Sequence, residues 1–416
     1  MRKIFYLILL SVLSFELIAQ TDPLWMRYPA ISPDGNEIVF SYKGDLFKVG
    51  AKGGTATPLT LHEAHDYMPV WSPDGKQIAF ASDRFGNFDV YVIPSVGGEA
   101  KRLTYHSGND FPWDFTPDGK DVIFSSPRND LQTSVRFPNK GLFGKLYKVP
   151  VEGGRSILIS TAGFQNASFD AEGERIIFQD RKGYEDEWRK RHTSSVTRDV
   201  WVYDLKQQKY TQISDFEGED REPLFSADGN SAFYLSEKNG SQNIFKRDLS
   251  NGSETQLTHF KDHPVRHLSS SKQDVLSFTW NGEIYTLAPG SQPVKVPVRI
   301  FADFRGNDQK IVSVNGGATE MALSPNGKEI AFVFRGEVFV TSVDNNLTKR
   351  VTNTSAQERM LSWGADGRSL YYSSERGDSW DIYKANIVRS DEPYFYVSTL
   401  INEETVVATE KDEFQP

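Results

Sequence analysis

Seven turns of one kind and a degenerate copy at residues 270–274, each followed by runs of β-forming residues and together returning every 40 to 56 positions, predict an all-β chain built as a β-propeller. The turns are Pro33-Asp34-Gly35, Pro73-Asp74-Gly75, Pro117-Asp118-Gly119, Ala171-Glu172-Gly173, Ala227-Asp228-Gly229, Pro325-Asn326-Gly327 and Ala365-Asp366-Gly367. In Ser72-Pro73-Asp74-Gly75, serine suits the first position of a type I turn, proline pre-sets φ at the second and glycine tolerates the fourth. Residues 69–104 place four short β runs around that turn, ending in Lys101-Arg102-Leu103-Thr104. One four-stranded unit cannot bury both its faces, so successive units must stack around an axis.

The repeats follow in order. The first spans residues 27–60, with a tight hairpin at Lys43-Gly44-Asp45. The second opens at Asp66, and the third opens near Asp110 and carries an insertion over residues 127–144. The fourth opens near Phe164 and carries another over residues 181–198, including Trp188-Arg189-Lys190-Arg191-His192. The fifth opens near Asp220 and is regular. The sixth, residues 264–300, replaces the turn by Ser270-Ser271-Lys272-Gln273-Asp274 but keeps Asn281-Gly282-Glu283-Ile284-Tyr285. Since each repeat supplies four strands of its own, the ring is expected to close without a strand from the far end of the chain.

Pro289, Pro293 and Pro297 then crowd the chain, residues 301–309 read as a polar linker, and two more repeats occupy residues 310–352 and 358–410. The expected organisation is a six-bladed β-propeller over residues 21–300 and the first two blades of a second, incomplete propeller over residues 310–416. Glu413-Phe414-Gln415-Pro416 aligns with Asp66-Tyr67-Met68-Pro69, which opens the second repeat, so the sequence reads as truncated, with another blade expected beyond it.

Residues 1–20 differ in kind. Arg2-Lys3 precedes an apolar run over residues 4–15, and Ala19 is small enough for cleavage before Gln20, the pattern of a secretory signal. The run is shorter than the ~20 residues of a spanning helix. The mature chain is expected in a bacterial periplasm or secreted, with no membrane anchor. The absence of cysteine excludes disulfides, thiolate chemistry and a lipidated N-terminus. A net charge of −9 argues against nucleic acid as a general partner.

Six repeats, a linker and the start of a second array resemble the N-terminal part of the tricorn protease family. The resemblance rests on residues 69–104, on Trp188–Arg191 before Asp199-Val200-Trp201-Val202-Tyr203, and on the linker into Ala322-Leu323-Ser324-Pro325-Asn326-Gly327. The turn alone is less specific, being shared with TolB-like propellers and with prolyl oligopeptidase-like enzymes. The resemblance implies a six-bladed and a seven-bladed propeller that gate peptides, then a PDZ-like module and a serine-peptidase domain. The family's catalytic region has no counterpart here, so no catalytic residue is carried over.

The residues themselves carry no catalytic signature. There is no Gly-x-Ser-x-Gly elbow, and His62-Glu63-Ala64-His65 is not His-Glu-x-x-His. His259, His263 and His267 have helical spacing, but Pro264 and the repeat register place them on a connection. No metal or cofactor is expected. Asp66, Asp110, Asp220 and Glu358 each lie nine residues before a turn glycine, at the opening of an innermost strand. Repeated around a ring, with His106 at the rim, they could set a negative potential at one channel mouth and hold a peptide amino group. The favoured alternative is that each ties down its own backbone at a turn, a tie that repeated units would repeat.

Three functions remain open: the noncatalytic propeller part of an exported tricorn-like peptidase, a free-standing TolB-like scaffold binding envelope proteins, and a channel enzyme such as a glycan lyase. The first is favoured. The expected partners are peptides or unfolded polypeptide and a peptidase domain, with self-association open.

Overall fold

The computed structural model describes residues 23–128, 144–184, 186, 188–301, 310–377 and 379–416. The signal-like residues 1–20, most of the 127–144 insertion and nearly all of the 301–309 linker lie outside them. Among the described residues the chain is all-β, with one short 3-10 turn at Phe395–Val397. It divides into two compact units, the first ending at Asp303 and the second beginning at Phe304.

In the first unit each turn motif joins the first two strands of a four-stranded antiparallel run. In the first repeat the strands are Arg27–Ile31, Glu37–Tyr42, Asp45–Gly50 and Gly54–Pro58, paired in sequence order. The turn closes through the Gly35 amide donating to the Ser32 carbonyl at 2.8 Å, with Gly35 left-handed at φ 74°. In the degenerate sixth copy Asp274 takes that place, at φ 56°, and its amide donates to the Ser271 carbonyl. Aspartate is among the few non-glycine residues that enter this region readily, so the turn survives its glycine.

Two features depart from one sheet per repeat. Strand Ile157–Phe169 is thirteen residues long. Its first half pairs with Lys145–Pro150 and its second half with Arg175–Asp180, fusing the third and fourth repeats into a seven-stranded sheet. The end of the first unit also departs from the sequence expectation. Val298–Ile300, at the end of the sixth repeat, adds in parallel to Gly54–Pro58 of the first, with Val298 opposite Gly54. A strand from the far end of the unit is therefore used, as a fifth strand on the first sheet. Crossing to the outer edge of that sheet satisfies backbone groups that would otherwise face water.

The core is distributed between sheets. Ala30, Val39, Ile78 and Phe80 pack between the first and second repeats, and Ala79, Val90, Val122 and Phe124 between the second and third. Ile123, Leu146, Phe164 and Phe178 fill the next gap, then Ile177, Val202, Ala232 and Tyr234, then Leu235, Ile244, Leu276 and Phe278. The sixth cluster joins Ile284, Val296 and Val298 to Met26, Ile38 and Phe47 of the first repeat. Both faces of each sheet are thus covered, as near-continuous apolar runs such as Gln77–Ser82 require.

The second unit holds two further sheets. One is built from Ala318–Leu323, Glu329–Phe334, Glu337–Ser342 and Thr348–Arg350, the other from Glu358–Trp363, Ser369–Ser374, Asp381–Ile387 and Ile401–Val407. Ala331, Val338, Leu370 and Tyr372 are buried in their shared core.

Candidate functional site: the cavity enclosed by the first strands

The first strands of all six repeats of the first unit line one cavity of about 1050 Å³. Most carry a β-bulge at the same place, between Arg27 and Ala30, Tyr67 and Val70, Gln165 and Ser168, Arg221 and Leu224, and Arg266 and Ser269. The bulged residues Tyr28, Met68, Asn166, Glu222 and His267 are left-handed, with φ between 47° and 57°. All five line the cavity. A bulge re-aims side chains, and a non-glycine left-handed residue costs roughly 1–2 kcal/mol. Repetition of that cost around one cavity marks a wall held by its surroundings.

One side of the wall is aromatic. The Tyr28 and Tyr67 rings meet edge to face at 5.5 Å, and Tyr67 meets Phe111 at 6.2 Å. Tyr28 also packs on the His267 imidazole at 4.2 Å. Burial, aided by the charges of Arg266 and Arg27, pushes that imidazole down to about 3. His267 Nδ1 lies 2.9 Å from Thr279 Oγ1. A base this weak does not take a hydroxyl proton near neutrality, so the pair lacks the poise of a nucleophile and its general base.

The other side is rich in arginine. Arg198 and Arg221 are buried and share the Glu219 carboxylate, Arg221 Nε at 2.7 Å and Arg198 Nη1 at 3.3 Å. Arg181 and Arg266 also line it. Trp188, from the insertion in the fourth repeat, lies at the same cavity with its ring 5.0 Å from the Arg27 guanidinium and 4.8 Å from that of Arg266. The chain beyond it is latched down. The Arg191 and His192 amides donate to the buried Glu237 carboxylate at 2.7 and 3.2 Å, and Arg191 Nε donates to the Gly240 carbonyl. Nothing in the local sequence of the insertion anticipates Trp188 at this cavity. Glu185 and Glu187 lie outside the described residues.

The carboxylates singled out by their spacing lie elsewhere. Asp66, Asp110, Asp220 and Glu358 have no exposed surface. The first three are absent from the cavity wall, and Glu358 belongs to the second unit. Asp66 Oδ2 accepts from Arg84 at 2.9 Å, Asp110 is paired with Arg128, and Glu358 Oε1 accepts from Thr354, Ser374 and Arg376. Burial pushes Asp220 up to about 7. His106 is half-buried, its Nδ1 accepting the Gly108 amide at 2.9 Å, and His65 stacks on Tyr67. A second repeated tie is visible only with the fold. The Thr60, Thr104, Thr258 and Thr352 hydroxyls accept the backbone amides of Leu46, Val90, Ile244 and Val338. The recurring Leu-Thr and Val-Thr pairs at fourth-strand ends are its sequence trace.

These sheets, their interleaved cores and the common cavity define the class as a β-propeller. The chain belongs to the tricorn protease N-terminal β-propeller domain family, whose profile matches residues 23–293. It is 23% identical over 239 residues to the tricorn protease of Thermoplasma acidophilum, covering 57% of this chain and 21% of that protein. It is 23% identical over 370 residues to a tricorn protease homologue of Streptomyces coelicolor, covering 85% of this chain and 30% of that one. The crystal structure of the tricorn protease shares the fold over 94% of this chain and 36% of its own, with a TM-score of 0.63 at 19% identity. The chain therefore spans about a fifth to a third of the length of these relatives.

Proposed function

We propose that the chain is the propeller portion of an exported, tricorn-like peptide-handling protein. In this reading residues 21–300 form a closed six-bladed propeller and residues 310–416 begin a second. The first propeller binds or gates peptides for a peptidase domain outside these residues and cleaves nothing itself. The observation that carries this reading is the cavity walled by the first strands of all six repeats. Its aromatic rings and prolines offer surface to apolar side chains of a peptide. Six interleaved cores, the last joining the sixth repeat to the first, support a closed ring of six. The basic start, short apolar run and Ala19 support export, with a mature N-terminus near Gln20 or Thr21.

The test is to titrate the purified chain with short peptides and follow tryptophan fluorescence, since Trp113 and Trp188 line the cavity. Saturable quenching, with every peptide recovered intact by mass spectrometry, is expected. An unresponsive chain, or cleavage that disappears when a residue of this chain is substituted, overturns the reading.

A further inference from the structure

Trp188 comes to the cavity from a distant repeat. It belongs to the insertion between strands Arg175–Asp180 and Val200–Asp204 of the fourth repeat. Its ring nevertheless lies 5.0 Å from the Arg27 guanidinium of the first repeat and 4.8 Å from the Arg266 guanidinium of the sixth. Three interleaved cores separate the fourth repeat from the first in either direction. A side chain that joins them spans the cavity rather than following one sheet. The insertion is fixed at its root, where Lys182 Nζ donates to the Thr197 carbonyl at 2.9 Å and pairs with Asp199. It is fixed again on the fifth repeat, where the Glu237 carboxylate holds the Arg191 and His192 amides. The tip is held less. The Trp188 amide donates to Asp186 inside the insertion, and Trp188 is 51% exposed.

We propose that Arg27 and Arg266 form a slot for an aromatic ring, that Trp188 is its resident occupant, and that an aromatic side chain of a bound peptide displaces Trp188 from it. This deepens the peptide-binding reading above and rests on it. The slot is defined by a ring that already sits in it. A cation–π contact joins the ring face to the charge and uses no N–H donor, so it coexists with the hydrogen-bond partners of both guanidiniums. Tyr28 and His267, next in sequence to the two arginines, pack on each other at 4.2 Å in the cavity wall, so the slot adjoins further aromatic surface. With root and Glu237 latch in place, only the tip has to move. An indole half in water gives up little burial on leaving. Two cation–π contacts at a half-exposed site favour the closed position by about tenfold. A slot filled by the chain's own residue lowers the apparent affinity for a competing ring by about that factor.

The experiment measures, by calorimetry, binding of acetyl-Gly-Gly-Phe-Gly-Gly-amide and its Leu counterpart to the full chain and to W188A. The Phe peptide should bind W188A about tenfold more tightly than the parent, and the Leu peptide should change by less than about twofold. W188F, which keeps a ring in the slot, should restore part of the block. On the parent chain the Phe peptide should shift tryptophan emission to the red as the indole enters water, a change that W188A lacks. Unchanged or weaker Phe-peptide affinity in W188A, as for an ordinary wall residue, overturns the proposal while the peptide-binding reading stands. So does an equal gain for the Leu peptide. Failure of both peptides to bind either chain overturns both. Should W188A fail to fold, the emission of the saturated parent chain decides, and an unshifted spectrum overturns the proposal.

Discussion

The acids that open the inner strands act as stitches. Asp66, Asp110 and Glu358 are each met by an arginine on the following hairpin, at Arg84, Arg128 and Arg376. Strand register places Ser82 opposite Asp66 and Ser374 opposite Glu358, so the sequence trace is Ser-x-Arg after the second strand. Removing one partner of such a pair strands a buried charge. Arg84→Met should cost about 3–5 kcal/mol of unfolding free energy, read as a lower urea midpoint at unchanged slope. A change of a few tenths would mean the pair is not structural.

The fifth repeat departs from this pattern. Lysine stands at the arginine position, and the Lys238 ammonium pairs with Glu254, which leaves burial to dominate Asp220 and raise it to about 7. The folded chain therefore keeps the Asp220 proton across a window, from the ordinary carboxylate range up to about 7, in which the unfolded chain has lost it. Stability attributable to this group is highest at the acid end and falls as pH rises through the window, by up to roughly 1.4 kcal/mol per unit. Asp220→Asn imitates the protonated form. It should flatten the decline in urea stability between pH 5 and pH 8, and parallel profiles for parent and variant would sink the assignment.

At the scale of elements, two strands do more than their repeat requires. Ile157–Phe169 is the outer strand of one repeat and the inner strand of the next, so no loop separates the third blade from the fourth. Val298–Ile300 fastens the end of the first unit to its beginning. Val298 is buried against the first repeat, with Val296 and Ile284 in the same cluster. Val298→Ala should cost about 1–2 kcal/mol, the transfer and cavity terms of a small aliphatic truncation. Hydrogen exchange should then rise at Gly54–Pro58, the strand it pairs. An unchanged exchange pattern would show that the latch contributes nothing.

For the molecule as a whole, stability resides in apolar layers between sheets, six of them among the described residues of the first unit, while the first strands of that unit line a cavity. A propeller of this kind can present polar and strained groups at its centre because its core lies elsewhere. The two compact units meet in sequence between Asp303 and Phe304. Limited proteolysis should therefore leave a resistant fragment that retains Val298–Ile300, because trimming to Pro297 would remove the latch. A resistant fragment ending before Val294 would contradict that role, and a single resistant species extending to residue 410 would contradict an independent first unit.

The repeat, its turn chemistry and the order of its strands were determined by the sequence alone. They depend on local rules of φ, alternation and spacing that act within about ten residues, as Pro73-Asp74-Gly75 shows. The same spacing located Asp66, Asp110 and Asp220 at the opening of inner strands, yet it could not tell an open carboxylate from a buried one. Only the tertiary structure decided that, because burial depends on how neighbouring sheets close over the strand end. It also decided that Arg198, Arg221, Arg266 and Trp188, drawn from different repeats, converge on one cavity. That convergence is set by the curvature of the stacked sheets and by strained bulges, which no stretch of chain encodes by itself.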